Sequence, residues 1–158
     1  MDSYKAICTM LDEMKKRLGG GAETNKEIEK WVNQKSKNQG FCAIHYAAFR
    51  GNIDIINKLL ENKANCEAVN NRGINVIHMA CQGNKPSALV YFRDKFNMDI
   101  QSVDELWSTP LHWACYNGAE ETIVFLLSWN VALNNQDKEG LTPLHLAVLS
   151  GNNTYKKK

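Results

Sequence analysis

Four histidines divide the chain at nearly equal intervals. His45, His78, His112 and His145 are separated by 33, 34 and 33 residues, by subtraction of their numbers. Histidines that serve one catalytic or metal site are placed by the geometry of that site, whereas a structural repeat places the same residue at a fixed interval. We therefore interpret the four histidines as markers of one repeated unit.

The sequence around each histidine repeats as well. Aligned on the histidine, the four segments read GFCAIHYAAFRGN, GINVIHMACQGNK, WSTPLHWACYNGA and GLTPLHLAVLSGN. Thr-Pro-Leu-His is a helix start, in which threonine caps the first turn and proline takes the first helical position. We expect this helix to end at Gly51, Gly118 and Gly151. A second stretch with helical spacing of apolar residues follows the first three copies, so each unit is predicted to be a helix pair.

This pattern resembles the ankyrin repeat, which has a period of about 33 residues and a TPLHxA core. The resemblance implies an all-α solenoid of helix-turn-helix repeats with projecting hairpin turns. It also implies that the four motif histidines are structural and tie adjacent repeats together by hydrogen bonds. The expected divisions are an N-terminal helical cap at 1–37 and repeats at about 38–69, 70–103, 104–136 and 137–158. Because the last repeat lacks its second helix, we expect the native chain to continue.

Trp107 departs from the repeat at a projecting turn. It occupies the position that Gly40, Gly73 and Gly140 hold in the other copies. Glycine at such a position commonly serves a positive φ, which a bulky residue adopts only with strain. Either the turn is rebuilt locally, or a large side chain is carried on the turn. In the second case the tryptophan either packs locally or is a candidate binding residue.

Composition and charge exclude several classes of function. The net charge of +2 gives no strong attraction to nucleic acid. No run approaches the ~20 apolar residues that span a bilayer, and the N-terminus does not resemble a signal peptide, so we expect a cytoplasmic location. The five cysteines form no CxxC pair, which favours reduced thiols. No acid–base pair, metal cluster or phosphate loop is recognisable, so we expect no catalytic site, cofactor, metal or small-molecule substrate.

The resemblance to ankyrin repeats implies a concave groove lined by the residue after each motif histidine and its helical neighbours. The predicted partner-binding residues are Tyr46, Phe49, Arg50, Met79, Trp107, Trp113, Tyr116 and Asn117. Aromatic residues and arginine dominate binding hot spots, and a row of aromatic rings suits an extended peptide that is aliphatic or rich in proline. Alternatively, Tyr46 and Trp113 only pack against the turns. On the binding interpretation, Trp113→Ala weakens partner binding with little loss of stability.

The segment from NVIHMACQGN to LTPLHLAV also resembles the cytosolic ankyrin region of protozoan and animal palmitoyltransferases of the Asp-His-His-Cys type. The resemblance rests on the longer step before STPLHW, the tryptophan after that histidine and the run LLSWNV. It implies that the repeats recruit substrates through a short extended motif containing a proline, with Trp113 in the site. The asparagine that accompanies this tryptophan in the animal family corresponds to Gly83 here.

The palmitoyltransferase resemblance concerns recruitment and not chemistry. The Asp-His-His-Cys sequence, its zinc-binding cysteines and the transmembrane helices do not occur in these residues, so they cannot transfer an acyl group on their own. Two other functions remain open: a freestanding soluble ankyrin adaptor or inhibitor, and the cytosolic ankyrin region of a channel. In all three, the expected partner is a protein or an extended peptide.

Overall fold

The structure is a computed structural model that describes residues 3–154, and side chains are described for residues 3–151. Within that range α-helices are the regular secondary structure. They are α1 (Ser3–Arg17), α2 (Ala22–Val32), α3 (Ala43–Arg50), α4 (Ile53–Glu61), α5 (Val76–Gln82), α6 (Pro86–Phe96), α7 (Pro110–Tyr116), α8 (Glu120–Ser128) and α9 (Pro143–Thr154).

The helices form two stacked layers. The first helix of each repeat packs on the first helix of the next, in the order α3, α5, α7 and α9, and the second helices α4, α6 and α8 form the other layer. Ile44, Ile77 and Leu126 are among the side chains buried between the layers. The predicted all-α solenoid of helix pairs is confirmed. Gly151 does not end the last helix as expected, because α9 continues through it to Thr154.

Side-chain caps explain where the first helices begin. The Thr109 hydroxyl accepts a hydrogen bond from the His112 backbone N–H, and Pro110 follows at the first helical position. The Asn75 side chain accepts hydrogen bonds from the backbone N–H groups of Ile77 and His78 in the preceding repeat. Both caps satisfy amides that a helix start leaves without an intrahelical partner, so a short helix can begin at a defined residue.

Three of the motif histidines bridge neighbouring repeats. Nε2 of His45 lies 3.2 Å from the carbonyl oxygen of Ile74, and Nε2 of His78 lies 3.2 Å from that of Ser108. Nε2 of His112 lies 3.1 Å from the carbonyl oxygen of Leu141. In each ring Nδ1 accepts a backbone N–H bond from the residue three positions earlier. Since Nδ1 is an acceptor, the neutral ring carries its proton on Nε2 and donates it to the next repeat.

Burial keeps the His45 and His78 rings neutral. It lowers the pKa of the His78 imidazole from 6.5 to about 4, against the opposing charge of Asp104, which raises it. The pKa of His45 is also lowered, chiefly by burial. Protonation at Nδ1 would remove the acceptor of a buried backbone N–H and place a charge in the core, and both effects destabilise the fold.

The N-terminal helices do not continue the two-layer pattern. α1 packs on α2 and on α4, which belongs to the second-helix layer. The end of α2 is tied to the first repeat by Asn33, whose Nδ2 donates to the Lys63 carbonyl oxygen and whose Oδ1 accepts from the Asn65 N–H. The end of α2 is therefore fixed to the end of α4, whereas α1 packs on the second-helix layer and not on the first helix α3.

The turn at Trp107 is kept and not rebuilt. Trp107 has φ 62°, close to the φ of 73° at Gly73 and 77° at Gly140. Its N–H donates to the Asp104 carbonyl oxygen at 3.0 Å, as the Gly140 N–H does to that of Asp137. The indole is 59% exposed, with the Lys138 ammonium 6.0 Å from the ring centroid. A bulky side chain therefore stands on the turn in a left-handed conformation, which costs stability.

The histidine bonds predict acid sensitivity. A group whose pKa is lowered by folding contributes stability above its unfolded pKa, and that contribution is lost as the pH falls toward the folded pKa. For His78 the window runs from 6.5 down to about 4. We expect the free energy of unfolding in urea to fall by about 2 kcal/mol between about pH 7 and pH 5. His145 is exposed, so His145→Gln is the control, and its free energy of unfolding should fall by the same amount as that of the wild type. A free energy that stays constant over this range contradicts the prediction.

The turn geometry predicts that Trp107→Gly stabilises the protein. Glycine adopts the left-handed conformation without the Cβ clash, so we expect a gain of about 1 kcal/mol, which is about 3 °C in thermal midpoint. Trp107→Ala is the matched control, since it removes the indole but retains the strained φ. Equal stability of the glycine and alanine variants would show that the backbone conformation is not the cause.

Candidate partner-binding groove

A groove of about 340 Å³ lies between the first helices and the projecting turns. We call it the central groove, and its lining residues are Gln39, Phe41, Tyr46, Phe49, Asn70, Arg72, Ile74, Met79, Gln82 and Trp113. Four of the sequence-predicted partner-binding residues, Tyr46, Phe49, Met79 and Trp113, meet here. They are contributed by α3, α5 and α7, so the groove crosses three consecutive repeats.

Trp113 is held in place by the turn before it. Its Nε1–H donates to Oδ2 of Asp104 at 3.1 Å, and its ring meets the His78 ring edge-on at 6.4 Å between centroids. Asp104 is buried, and its Oδ1 accepts the backbone N–H groups of Leu106 and Ser108. The indole therefore packs against the turn and also lines the groove. Its removal would leave a buried carboxylate oxygen without its donor, so the expectation of little stability loss in Trp113→Ala is revised.

Asn70 takes the place of Asp104 in the preceding repeat. Its Oδ1 accepts backbone N–H bonds from Arg72 and Ile74 at 2.9 Å, which is the turn bond that Asp104 also makes. Its Nδ2 is buried and has no hydrogen-bond partner among the described residues. Sequence reasoning missed this residue, although an Asn or Asp three positions before the turn residue recurs in NNRG, DELW and DKEG.

The remaining predicted residues lie outside the central groove. Asn117 is exposed, and its Nδ2 donates to the Trp113 carbonyl oxygen at 2.8 Å, which satisfies the end of α7. Tyr116 and Trp107 are exposed on α7 and its preceding turn. Arg50 lines a different groove near α1. Met79 lies in the central groove but is only 4% exposed, so it contributes to the floor.

Phe41 and Gly83 also determine the shape of the groove, Phe41 through its ring and Gly83 through its lack of a side chain. Phe41, which sequence analysis missed, meets the Tyr46 ring edge-on at 5.6 Å between centroids and so holds it at the groove wall. Gly83 has an ordinary φ, but a Cβ added there would overlap the backbone carbonyl oxygen of Phe49. This position therefore has no room for the asparagine that the palmitoyltransferase resemblance would place there.

The thiols near the histidines are not activated. Burial raises the pKa of Cys81 and of Cys115, so both stay protonated at neutral pH and are poor nucleophiles. His112 is engaged by Thr109 at Nδ1 and by Leu141 at Nε2, and neither bond involves Cys115. Among residues 3–151 no group of three or more His, Cys, Asp and Glu is arranged to hold a metal ion.

Comparison with known proteins matches the fold to one family. The model of ankyrin repeats in three copies matches residues 14–104, 44–137 and 77–156. The palmitoyltransferase AKR1 of Lachancea kluyveri is 31% identical over 80% of this chain, and that of Candida glabrata is 30% identical over 96%. The human transient receptor potential cation channel subfamily A member 1 is 31% identical over 74% of the chain.

The matched relatives are much longer proteins. The alignments cover 17% and 24% of the two palmitoyltransferases and 11% of the channel. In the part of the chain that the structure describes, no helix has the length and apolar character needed to cross a membrane. The family model and the repeated helix pairs agree over most of the sequence, and the chain therefore belongs to the ankyrin-repeat family.

Proposed function

We propose that the central groove binds an extended peptide segment of a partner protein. Ankyrin repeats form a protein-interaction module, and the observation that supports this groove is the meeting of Tyr46, Phe49 and Trp113 from two repeats with the unpartnered amide of Asn70. Aromatic faces provide large contact areas with few rotatable bonds, and a buried amide donor is satisfied only when an acceptor reaches it.

The chemistry of the groove favours a proline-containing or aliphatic segment. Its rings offer flat apolar faces to such side chains, and the side chains of Gln39, Gln82 and Asn70 supply amides for peptide groups. Lys and Glu side chains are absent from the lining, and Arg72 is its charged residue. Gly83 has no space for a side chain, so the groove lacks the asparagine that the animal palmitoyltransferases carry at this position. The bound peptide therefore has a different motif from the peptides that those enzymes bind.

We propose further that these repeats recruit substrates or partners for a membrane-bound palmitoyltransferase, on the cytosolic side of the membrane. The two yeast palmitoyltransferases support this assignment, and the similar identity of the channel keeps a channel's cytosolic region as the second candidate. In this proposal residues 1–37 are the N-terminal cap and residues 38–158 are the repeats. Trp107 and Tyr116 extend the contact surface beyond the central groove.

The groove proposal predicts that Tyr46→Ala weakens peptide binding by about tenfold or more, because a hot-spot aromatic side chain is lost. Tyr46 is 49% exposed and its hydroxyl makes no hydrogen bond with described residues, so the fold should be retained. Short proline-containing peptides would be selected by phage display on the wild-type protein and titrated by calorimetry. Val124→Ala, at an exposed apolar position on α8, is the control and should bind as wild type. Equal affinity of Tyr46→Ala and wild type would refute the groove.

The assignment to a palmitoyltransferase predicts the size and location of the native protein. An antibody raised to these residues should detect a band far larger than 17.9 kDa that resists carbonate extraction from membranes. Membranes carrying that band should transfer acyl groups to protein thiols, and a channel would not. A carbonate-soluble band near 17.9 kDa would instead support the freestanding adaptor.

A further inference from the structure

The face of α3 that points toward the N-terminus is uncovered. Ala43, Tyr46 and Arg50 are exposed on one side of this helix at spacing i, i+3 and i+7, and Ala47 lies between them with only 5% of its surface exposed. Ala43 is exposed and Tyr46 is 49% exposed, whereas the corresponding Val76 and Met79 of α5 are 0% and 4% exposed. The difference arises because α3 covers α5, and α1 packs on α2 and α4 and not in the same way on α3.

The uncovered face forms one wall of a larger groove. This N-terminal groove has a volume of about 790 Å³. Ile7 and Met10 of α1 form the opposite wall. Trp31 of α2 and Ile55 and Leu59 of α4 also line the groove, together with polar residues that include Gln34, Ser36 and Asn52. It is therefore a mainly apolar trough between two helices, on the side of α3 that corresponds to the side of α5 covered by α3.

The charges at this groove have one sign. Lys35, Lys37 and Arg50 line it, and no Asp or Glu does so among the described residues. The Lys35 ammonium donates to the Val69 carbonyl oxygen at 2.9 Å. The side chains of Lys37 and Arg50 make no hydrogen bond or ion pair with the described part of the chain. Two cations are thus free to meet carboxylates of an occupant.

We propose that the N-terminal groove binds a short amphipathic helix of a partner protein, with an apolar stripe flanked by Asp or Glu. The helix would lie between α1 and α3 and would complete the layer of first helices, as α3 does for α5. Ala43 and Ala47 allow a helix to approach closely, and the groove suits about ten residues of helix, close to the length of α2. Its carboxylates would pair with Lys37 and Arg50.

This proposal is independent of the central groove. The two grooves share Phe41 and Tyr46 but otherwise differ, since the N-terminal groove adds aliphatic and basic residues and the central groove adds aromatic rings and amides. A helix presents one apolar stripe and fits the trough, whereas an extended peptide presents side chains on alternate faces and fits the central groove. Failure of one proposal leaves the other unaffected.

A pair of designed helical peptides tests the proposal. Both carry the same leucine and alanine stripe, and the flanking residues are glutamate in one peptide and lysine in the other. Binding is measured by fluorescence anisotropy and mapped by chemical-shift changes of the labelled protein. We expect the acidic peptide to bind at least about tenfold more tightly than the basic one, with shifts at Ala43 and Tyr46.

Three variants locate the site. Ala43→Trp fills the trough from an exposed position and should abolish binding of the acidic peptide. Lys37→Glu should weaken it about tenfold, because attraction is replaced by repulsion. Lys30→Glu is the matched control, on an exposed position of α2 outside both grooves, and should bind the peptide as wild type does.

Four outcomes would overturn the proposal. They are equal binding of the acidic and basic peptides, absence of shifts at Ala43 and Tyr46 at millimolar peptide, equal loss in Lys37→Glu and Lys30→Glu, and unchanged binding to Ala43→Trp. A dimer in sedimentation that Ala43→Trp dissociates would also overturn it, because the occupant would then be a second copy of this chain. Circular dichroism establishes that each variant is folded.

Discussion

The stack depends on a hydrogen bond that each of three buried imidazoles donates to the following repeat. Helices of seven or eight residues, such as α3, α5 and α7, are too short to be stable alone in water, so their stability comes from tertiary contacts. The bond to Ile74, Ser108 or Leu141 fixes the distance between repeats, and the bond at Nδ1 fixes the helix start within a repeat. One side chain therefore sets both the local and the long-range geometry, which is why its spacing is so regular.

The same turns that receive the histidine bonds build the central groove. Oδ1 of Asp104 and Oδ1 of Asn70 each accept backbone N–H groups of their own turn. The second polar atom, Oδ2 in Asp104 and Nδ2 in Asn70, takes no part in closing the turn. In Asp104 it holds the Trp113 indole, but Met79 occupies the equivalent position beside Asn70 and offers no donor or acceptor of comparable strength. The hydrogen bond that Asp104 makes to Trp113 has no counterpart at Asn70, and the groove lining therefore contains an amide donor without a partner among the described residues.

The repeats, their helix pairs and the departure from glycine at 107 could be predicted because each depends on local sequence, whereas the sequence left open whether the turn at Trp107 keeps its positive φ. Thr109 and Asn75 cap by side-chain chemistry, and in the structure Trp107 shares the positive φ of the glycines at equivalent positions. The position of α1 could not be predicted, since its apolar residues specify a buried face but not which neighbour covers it. The unpartnered amide of Asn70 was missed for a related reason: whether a polar atom is satisfied depends on its neighbours in space.

The N-terminal groove follows from these constraints. An interior first helix is covered on both sides, so α5 has little freedom to present its residues to a partner. α3 has a repeat on one side only, and α1 leaves its other side open by packing on α4. The first repeat nevertheless stacks on the second as the later repeats stack on each other, because His45 bonds to Ile74 in the following repeat and this bond does not involve α1. Because the histidine bonds run toward the C-terminus, the repeat geometry does not depend on a helix on the N-terminal side of α3, and our proposal assigns a partner helix to that side.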